Sequence, residues 1–261
     1  MSAPTDNHEP AEQLAEGTLM SHLLELRARV MTAVIAVVVV FICLVPFTNR
    51  VFEIVSKPLR DALPEGSEMI VTDVAAPFLT PFKTTFFVAL FIAMPVVLFQ
   101  VWQFVAPGLY KREKRLAIPL LISSVVLFYA GIAFAYFIVF RVMFTFFASV
   151  TPGGVEMTPD ISAYLSFVLG IFLAFGVAFE VPIATVMLIW SGLVPVTTLK
   201  QARPYVFLGA FVVGMVLTPP DVFSQTLLAL PMYFLYESGL VMARVLIPDK
   251  FAVQSETAPN K

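Results

Sequence analysis

From Val30 to Asn49 the chain reads VMTAVIAVVVVFICLVPFTN, twenty residues without a charge. A helix that crosses the hydrocarbon core of a bilayer needs roughly 20 predominantly apolar residues. This stretch meets that length and exceeds the roughly 7–15 residues of a signal-peptide core. No small-residue cleavage pattern follows it, although Arg27 and Arg29 precede it as in a leader. It therefore predicts a first transmembrane helix.

The same test, carried outward, finds five more windows. They are 84–110, whose last part suits an interface; 116–140, running on past Arg141; 161–191, broken by Glu180; 204–220; and a stretch from Val222 to about Ile247 that holds Glu237 and Arg244 near its end. The expectation is an all-α membrane protein with six transmembrane helices, at about 30–49, 82–106, 116–148, 161–191, 204–219 and 222–244. The last two helices read as short. Seventeen residues rise only about 25 Å against a core of about 30 Å, which predicts thinning of the bilayer or shelter by partner helices. Twenty prolines, many inside the apolar runs, predict bent helices.

Composition agrees. Of 261 residues 59% are hydrophobic and 13% charged, and the mean hydropathy is +0.90. A soluble domain is about 45–50% apolar and about 25% charged, so a water-soluble globule and a disordered chain are both excluded. A net charge of −2 gives no bulk attraction to nucleic acid. One cysteine, Cys43, excludes an internal disulfide framework, and His8 and His22 are too few for a histidine metal cluster. No cofactor or metal is expected.

Short loops carry the orientation. Eleven Lys and Arg fall on the side that includes both termini, and five on the other. Both termini should therefore be cytoplasmic. Residues 1–17, with Asp6, Glu9, Glu12 and Glu16, read as a loose acidic tail, 18–247 as the membrane domain, and 248–261 as a C-terminal tail. The first external loop is long. Val51, Ile54, Val55, Leu59 and Ala62 recur there at helical spacing and predict a short interfacial helix. Thr80-Pro81 reads as N-cap and first residue of the second span, Asp160 as the cap of the fourth, and Thr151-Pro152-Gly153-Gly154 as a turn.

Against this background a few acids stand out. Glu180, in Gly176-Val-Ala-Phe-Glu-Val-Pro182, lies deep in an apolar segment, where an ionisable group is costly and marks a functional position. The plainer reading, a carboxyl reaching the headgroups, is weakened by the length of the segment and by Pro182. Glu25, read alone, forms an i,i+4 pair with Arg29, and Glu113 is one acid in a basic loop. The topology puts both at one membrane face, where two carboxylates suit a dibasic ligand, because carboxylate–arginine pairs can be bidentate. Asp221 follows two prolines and can cap the sixth span, while Met215 sits on the short, apolar fifth. No HExxH, GxSxG, P-loop or metal spacing occurs, so no catalytic residue is assigned. An ion-coupled transporter with Glu180 as its proton site is the alternative. The absence of repeats and of further polar residues in the spans weighs against it.

Several stretches together carry a resemblance. They are Ser21-His-Leu-Leu-Glu-Leu-Arg27; Gln100-Val-Trp-Gln-Phe-Val-Ala-Pro-Gly-Leu-Tyr-Lys-Arg-Glu113; Phe179-Glu-Val-Pro182; Arg203-Pro-Tyr205; and the run from Gly214 through Thr218-Pro-Pro-Asp221 to Tyr233. In this order they resemble the TatC family, the polytopic core subunit of the twin-arginine protein translocase, over about residues 18–247. The resemblance implies a bent, concave, glove-like bundle in the bacterial cytoplasmic membrane. It implies that Glu25 and Glu113 face the arginines of twin-arginine signal peptides, bordered by Arg27, Phe104, Tyr110, Lys111 and Arg115. Glu180 and Met215 would meet single-span TatA or TatB helices. Pro58 and Asp221, on the external side, would bear on assembly and transport. It implies a multimeric complex, folded cargo and export driven by the proton-motive force, with no enzymatic step.

Overall fold

The computed structural model describes residues 9–60, 69–105, 117–150, 158–218 and 221–248. All regular structure among them is helical; the sole pairing of the β type is one isolated bridge between Ile70 and Asp160. Five helical stretches are long and apolar enough to cross a membrane: Leu23–Lys57, Ala76–Phe104, Ile118–Phe147, Ile161–Trp190 and Val222–Leu246. Arg203–Leu217 is apolar but shorter.

Helix α1 spans Glu9–Leu44. It begins inside the segment expected to be a loose tail. Pro46 ends the α-helical pattern in a single 3₁₀ turn, Val45–Phe47, and α2 follows at Thr48–Arg60. Helix α2 is the expected amphipathic helix. Phe52 and Val55 pack into the main core while Ile54 and Lys57 stay exposed.

Helix α3 spans Ala76–Val105, so Thr80-Pro81 does not open it. Asp73 does: its carboxylate accepts from the Ala75 N–H at 2.9 Å and its backbone carbonyl from the Ala76 N–H at 3.1 Å. Pro81 and Pro95 lie inside the helix. The hydroxyls of Thr84 and Thr85 bond back to the carbonyls of Thr80 and Pro81, the kind of local repair that lets proline sit in a membrane helix.

Helix α4 (Ala117–Phe134) and α5 (Phe140–Val150) are joined by a π-helical segment, Ala135–Val139. The expected third span is thus one rod with a bulge rather than a uniform helix. Helix α6 (Ile161–Ala178) is capped by Asp160, whose side chain accepts from the N–H groups of Ser162 and Ala163. The chain then breaks at Phe179-Glu180 and resumes as α7 (Val181–Trp190), with Pro182 in the first turn of the new helix. Proline has no N–H to continue the ladder, and the second position of a helix does not need one.

Helices α8 (Val196–Gln201) and α9 (Arg203–Leu217) lead to α10 (Val222–Leu246), capped by Asp221. At 25 residues α10 is not short. It follows the apolar window from Val222 to about Ile247, and Glu237 within it is paired with Arg203 across the bundle. Of the two helices expected to be short, α9 is the one that is, at 15 residues.

Two glycines set a close helix contact. A Cβ on Gly131 of α4 would sit on the backbone carbonyl of Phe175 in α6, and a Cβ on Gly176 would run into the ring of Phe128. Small residues let membrane helices approach backbone to backbone. The main core, including Val139, Met143, Val168, Ile171, Phe175 and Leu228, lies where α5, α6 and α10 meet this pair.

Candidate functional site

At one end of the bundle α1 and α3 are tied by side chains. Arg29 donates from Nη1 to the side-chain carbonyl of Gln103. Its Nη2 meets Glu25 Oε1 at 3.3 Å, the i,i+4 pair read from the sequence. Both partners of that pair are about one-third exposed. The carboxylate of Glu25 therefore stands at the mouth between α1 and α3, held by a guanidinium whose other nitrogen serves Gln103. Arg27 is exposed on the same helix. Phe104 is half-buried at the end of α3, next to Gln103, and has contacts of its own. Tyr110, Lys111, Glu113 and Arg115 lie outside the described residues, as does the expected turn at 151–154.

Glu180 occupies the break between α6 and α7. It stands at the N-cap position of α7 but makes no side-chain cap bond. Its Oε1 is buried and has no hydrogen-bond partner among the described residues. The neighbouring polar side chain is Ser124 of α4, whose Oγ accepts from Trp102 Nε1 of α3 at 3.0 Å. Three helices thus converge on this carboxylate. An orphaned oxygen in a low-dielectric site is costly unless a partner supplies a donor.

At the other end Asp160 gathers the loops. Besides capping α6, its Oδ2 accepts from the Thr72 backbone N–H at 2.8 Å and from the Thr72 hydroxyl at 2.7 Å. The hydroxyl bond of Thr72 is the first cause, and the Ala163 and Thr72 amides the next, that hold this carboxyl at about 2, below the ordinary carboxylate range. Asp221 caps α10 through Oδ1 on the Ser224 N–H at 2.6 Å, and its Oδ2 is buried with no partner among the described residues. Met215 is 56% exposed on α9, on an open apolar face shared with Leu208, Val212 and Val216. Pro58 lies within α2. The structure does not bring Glu25, Glu180 and Asp221 together. They mark one mouth, the middle of the bundle, and the opposite end.

Several polar residues were not singled out from the sequence. Gln103 and Trp102 lie inside a quoted motif, and their alternation toward α1 and toward α4 is a tertiary fact. Ser124 is one of two serines in an apolar run and carries no local signal. Arg203 Nη2 bonds Glu237 Oε2 at 2.8 Å, and Glu237 Oε1 accepts from Tyr233 at 2.9 Å. Lys83 donates to Ser166 at 2.7 Å, and Gln225 to the Phe211 carbonyl at 2.9 Å. The spans are thus richer in paired polar groups than expected, so a lack of such groups no longer weighs against a transporter. Among the described residues no three His, Cys, Asp or Glu side chains converge as metal ligands.

The class these features define is a multi-pass helical membrane protein with a partly exposed carboxylate at one mouth and an incompletely bonded carboxylate within. Residues 21–231 match the family model of TatC, the Sec-independent protein translocase protein, and the chain belongs to that family. It is 63% identical over 222 residues to the Sec-independent protein translocase protein TatC of Azotobacter chroococcum mcd 1, covering 85% of this chain and 87% of the relative. It is 57% identical over 229 residues to the Escherichia coli (strain K12) TatC, with 88% and 89% covered. It superposes with a TM-score of 0.78 on the crystal structure of the twin arginine translocase receptor TatC, at 36% identity, over 86% of this chain and 98% of that one. The chain is therefore a protein translocase component, and the ion-coupled transporter reading is not favoured.

Proposed function

We propose that this protein is the signal-peptide receptor and core subunit of a twin-arginine translocase in the bacterial cytoplasmic membrane. In this reading α9 is the sixth span beside the five long ones, the bundle is concave, and both termini are cytoplasmic, as the basic loops favour. Residues 18–247 form the membrane domain between two tails.

The observation that carries the reading is the partly exposed Glu25 carboxylate at the mouth of α1 and α3. Its bond to Arg29 is long, at 3.3 Å, and its neighbour's guanidinium is shared with Gln103. A signal-peptide arginine that approaches in the bidentate geometry makes a shorter, stronger pair and displaces Arg29. Glu113, on the segment that follows α3, takes the second arginine. Arg27, Phe104, Tyr110, Lys111 and Arg115 border the surface. The apolar part of the peptide then lies along the membrane-exposed side of the bundle.

Glu180 presents its unpartnered oxygen to a single-span TatA or TatB helix, and the open face of α9 around Met215 receives such a helix along its length. Pro58 and Asp221 serve assembly and transport on the outer side. Folded cargo then crosses at the expense of the proton-motive force, within a multimeric complex.

The test is photocrosslinking from positions 25 and 113 to a twin-arginine peptide in native membranes. Crosslinks that disappear when the peptide arginines become lysines are expected. Crosslinking indifferent to those arginines would overturn the reading.

A further inference from the structure

The two ends of this proposed function are joined through adjacent residues of α3. Gln103 holds Arg29, and through it Glu25. The preceding residue, Trp102, donates its indole N–H to Ser124, and Ser124 is the polar side chain beside Glu180.

The register of α4 against α6 explains that placement. The helices are antiparallel, with Gly131 against Phe175 and Phe128 against Gly176. Ser124, Phe128 and Gly131 are spaced i, i+4, i+7, so they share one face of α4. One turn before Phe128 on α4 is Ser124, and one turn after Gly176 on the α6 side is Glu180. The serine therefore faces the carboxylate by the same packing that the glycines enforce. Ser124 is fully buried, so its hydroxyl has no water to turn to.

Donor and acceptor rules then give the chain a direction. An indole N–H can only donate, and a serine hydroxyl has one proton. With its oxygen accepting from Trp102, Ser124 has its single proton left to offer to the adjacent carboxylate. Oε1 of Glu180 has no hydrogen-bond partner among the described residues. The tryptophan ring is fixed as well. It packs in the cluster of Met94, Leu98 and Phe128 and in that of Ile183 and Met187 on α7, the helix that Glu180 opens.

We propose that Trp102 and Ser124 are positioning residues that aim the Glu180 carboxylate at its partner and couple that aim to the α1–α3 mouth. When an arginine of the peptide takes Glu25, Arg29 is released toward Gln103, the end of α3 shifts, and Trp102 carries the shift to Ser124 and α7. The inference rests on the receptor reading given above.

The experiment uses the full chain with TatA in membranes, a photocrosslinker at Val177, which is exposed one turn before Glu180, and a twin-arginine peptide. Two quantities are read: peptide affinity, and the peptide-dependent rise in crosslinking to TatA. Ser124→Ala and Trp102→Phe should each cut that rise roughly five- to tenfold, the size of one buried hydrogen bond, with peptide affinity unchanged. Ser124→Thr, which keeps the hydroxyl, should restore it. In a Glu180→Ala background Ser124→Ala should add nothing, because residues acting through one group are not additive. A normal rise in Ser124→Ala, with Glu180→Ala impaired, would overturn this proposal and leave the receptor reading standing. A loss of peptide affinity in Ser124→Ala that Ser124→Thr does not restore, or equal further loss in the Glu180→Ala background, would also overturn it. A normal rise in Glu180→Ala would overturn this proposal together with the partner contact at Glu180, and leave peptide recognition at Glu25 standing.

Discussion

Arg29 of α1 donates to the side-chain carbonyl of Gln103, seventy-four positions away on α3, while its second nitrogen reaches Glu25 at 3.3 Å. The guanidinium is thus divided between a neutral amide and a carboxylate. Gln103 draws it away from Glu25 and leaves the carboxylate available. Replacing Gln103 by leucine should return Arg29 to Glu25 and tighten the internal pair. Twin-arginine peptide affinity should then fall several-fold, whereas Glu25→Gln should lower it about ten- to hundredfold, the range of one charge-assisted bond. Titration of a fluorescent peptide into purified protein measures both. Equal affinity in Gln103→Leu would show that Arg29 does not compete for Glu25.

Glu180 differs from Glu25 in every local respect. It is internal, it caps nothing, and one oxygen has no partner among the described residues. Glu180→Ala should keep peptide binding and lose recruitment of TatA, because the two sites lie at different levels of the bundle. Co-purification of TatA after addition of precursor reads this directly, with peptide affinity as the control. Normal recovery of TatA would argue against a partner contact at this residue.

Much of this architecture was legible because hydrocarbon imposes a simple rule on sequence. A charge-free window of membrane length is a helix, and a carboxylate inside one is conspicuous, so the spans and Glu180 could be read directly. Asp160 and Asp221 were legible as caps because each directly precedes an apolar run. What was hidden depends on helices meeting. Trp102 and Gln103 are adjacent, yet one serves α4 and the other α1. Ser124 is a small hydroxyl in an apolar helix and becomes informative only beside Glu180. The partner of Glu237 was hidden for the same reason: Arg203 meets it from another helix. Thr80-Pro81 resembles a helix start because proline is favoured there, while Asp73 already supplies the acceptors upstream.

The α4–α6 contact gives a sharp stability test. A methyl on Gly131 meets the backbone of Phe175, which cannot rotate away. Overpacking of this kind costs about 1–3 kcal/mol, and more where backbone must move. Gly131→Ala should lower the melting temperature in detergent by several degrees. Gly209 on α9 faces open space, and a methyl there would meet nothing within 4 Å. Gly209→Ala should be neutral or slightly stabilising, since alanine is the better helix former. Similar behaviour of the two variants would contradict the close packing at Gly131.

Asp160 makes the last prediction, one of pH. Its carboxylate accepts from the Thr72 hydroxyl, the Thr72 N–H, and the N–H groups of Ser162 and Ala163. These bonds favour the ionised form and hold the group at about 2, below its usual 3.8. A carboxyl depressed by folding contributes its full stabilisation above its ordinary value and loses it as the pH falls through the folded one. The window is therefore between about pH 4 and pH 2. Within it, protonation should release Thr72 from α6 and undo the bridge that joins Ile70 to Asp160. Amide exchange at Ile70 and at Ser162 and Ala163 should quicken there relative to amides in the middle of α6. Asp160→Asn removes the ionisation but keeps an acceptor oxygen. It should start from a weaker anchor at neutral pH and show no further loss across that window. A variant that still loosens between pH 4 and pH 2 would place the acid-sensitive group elsewhere.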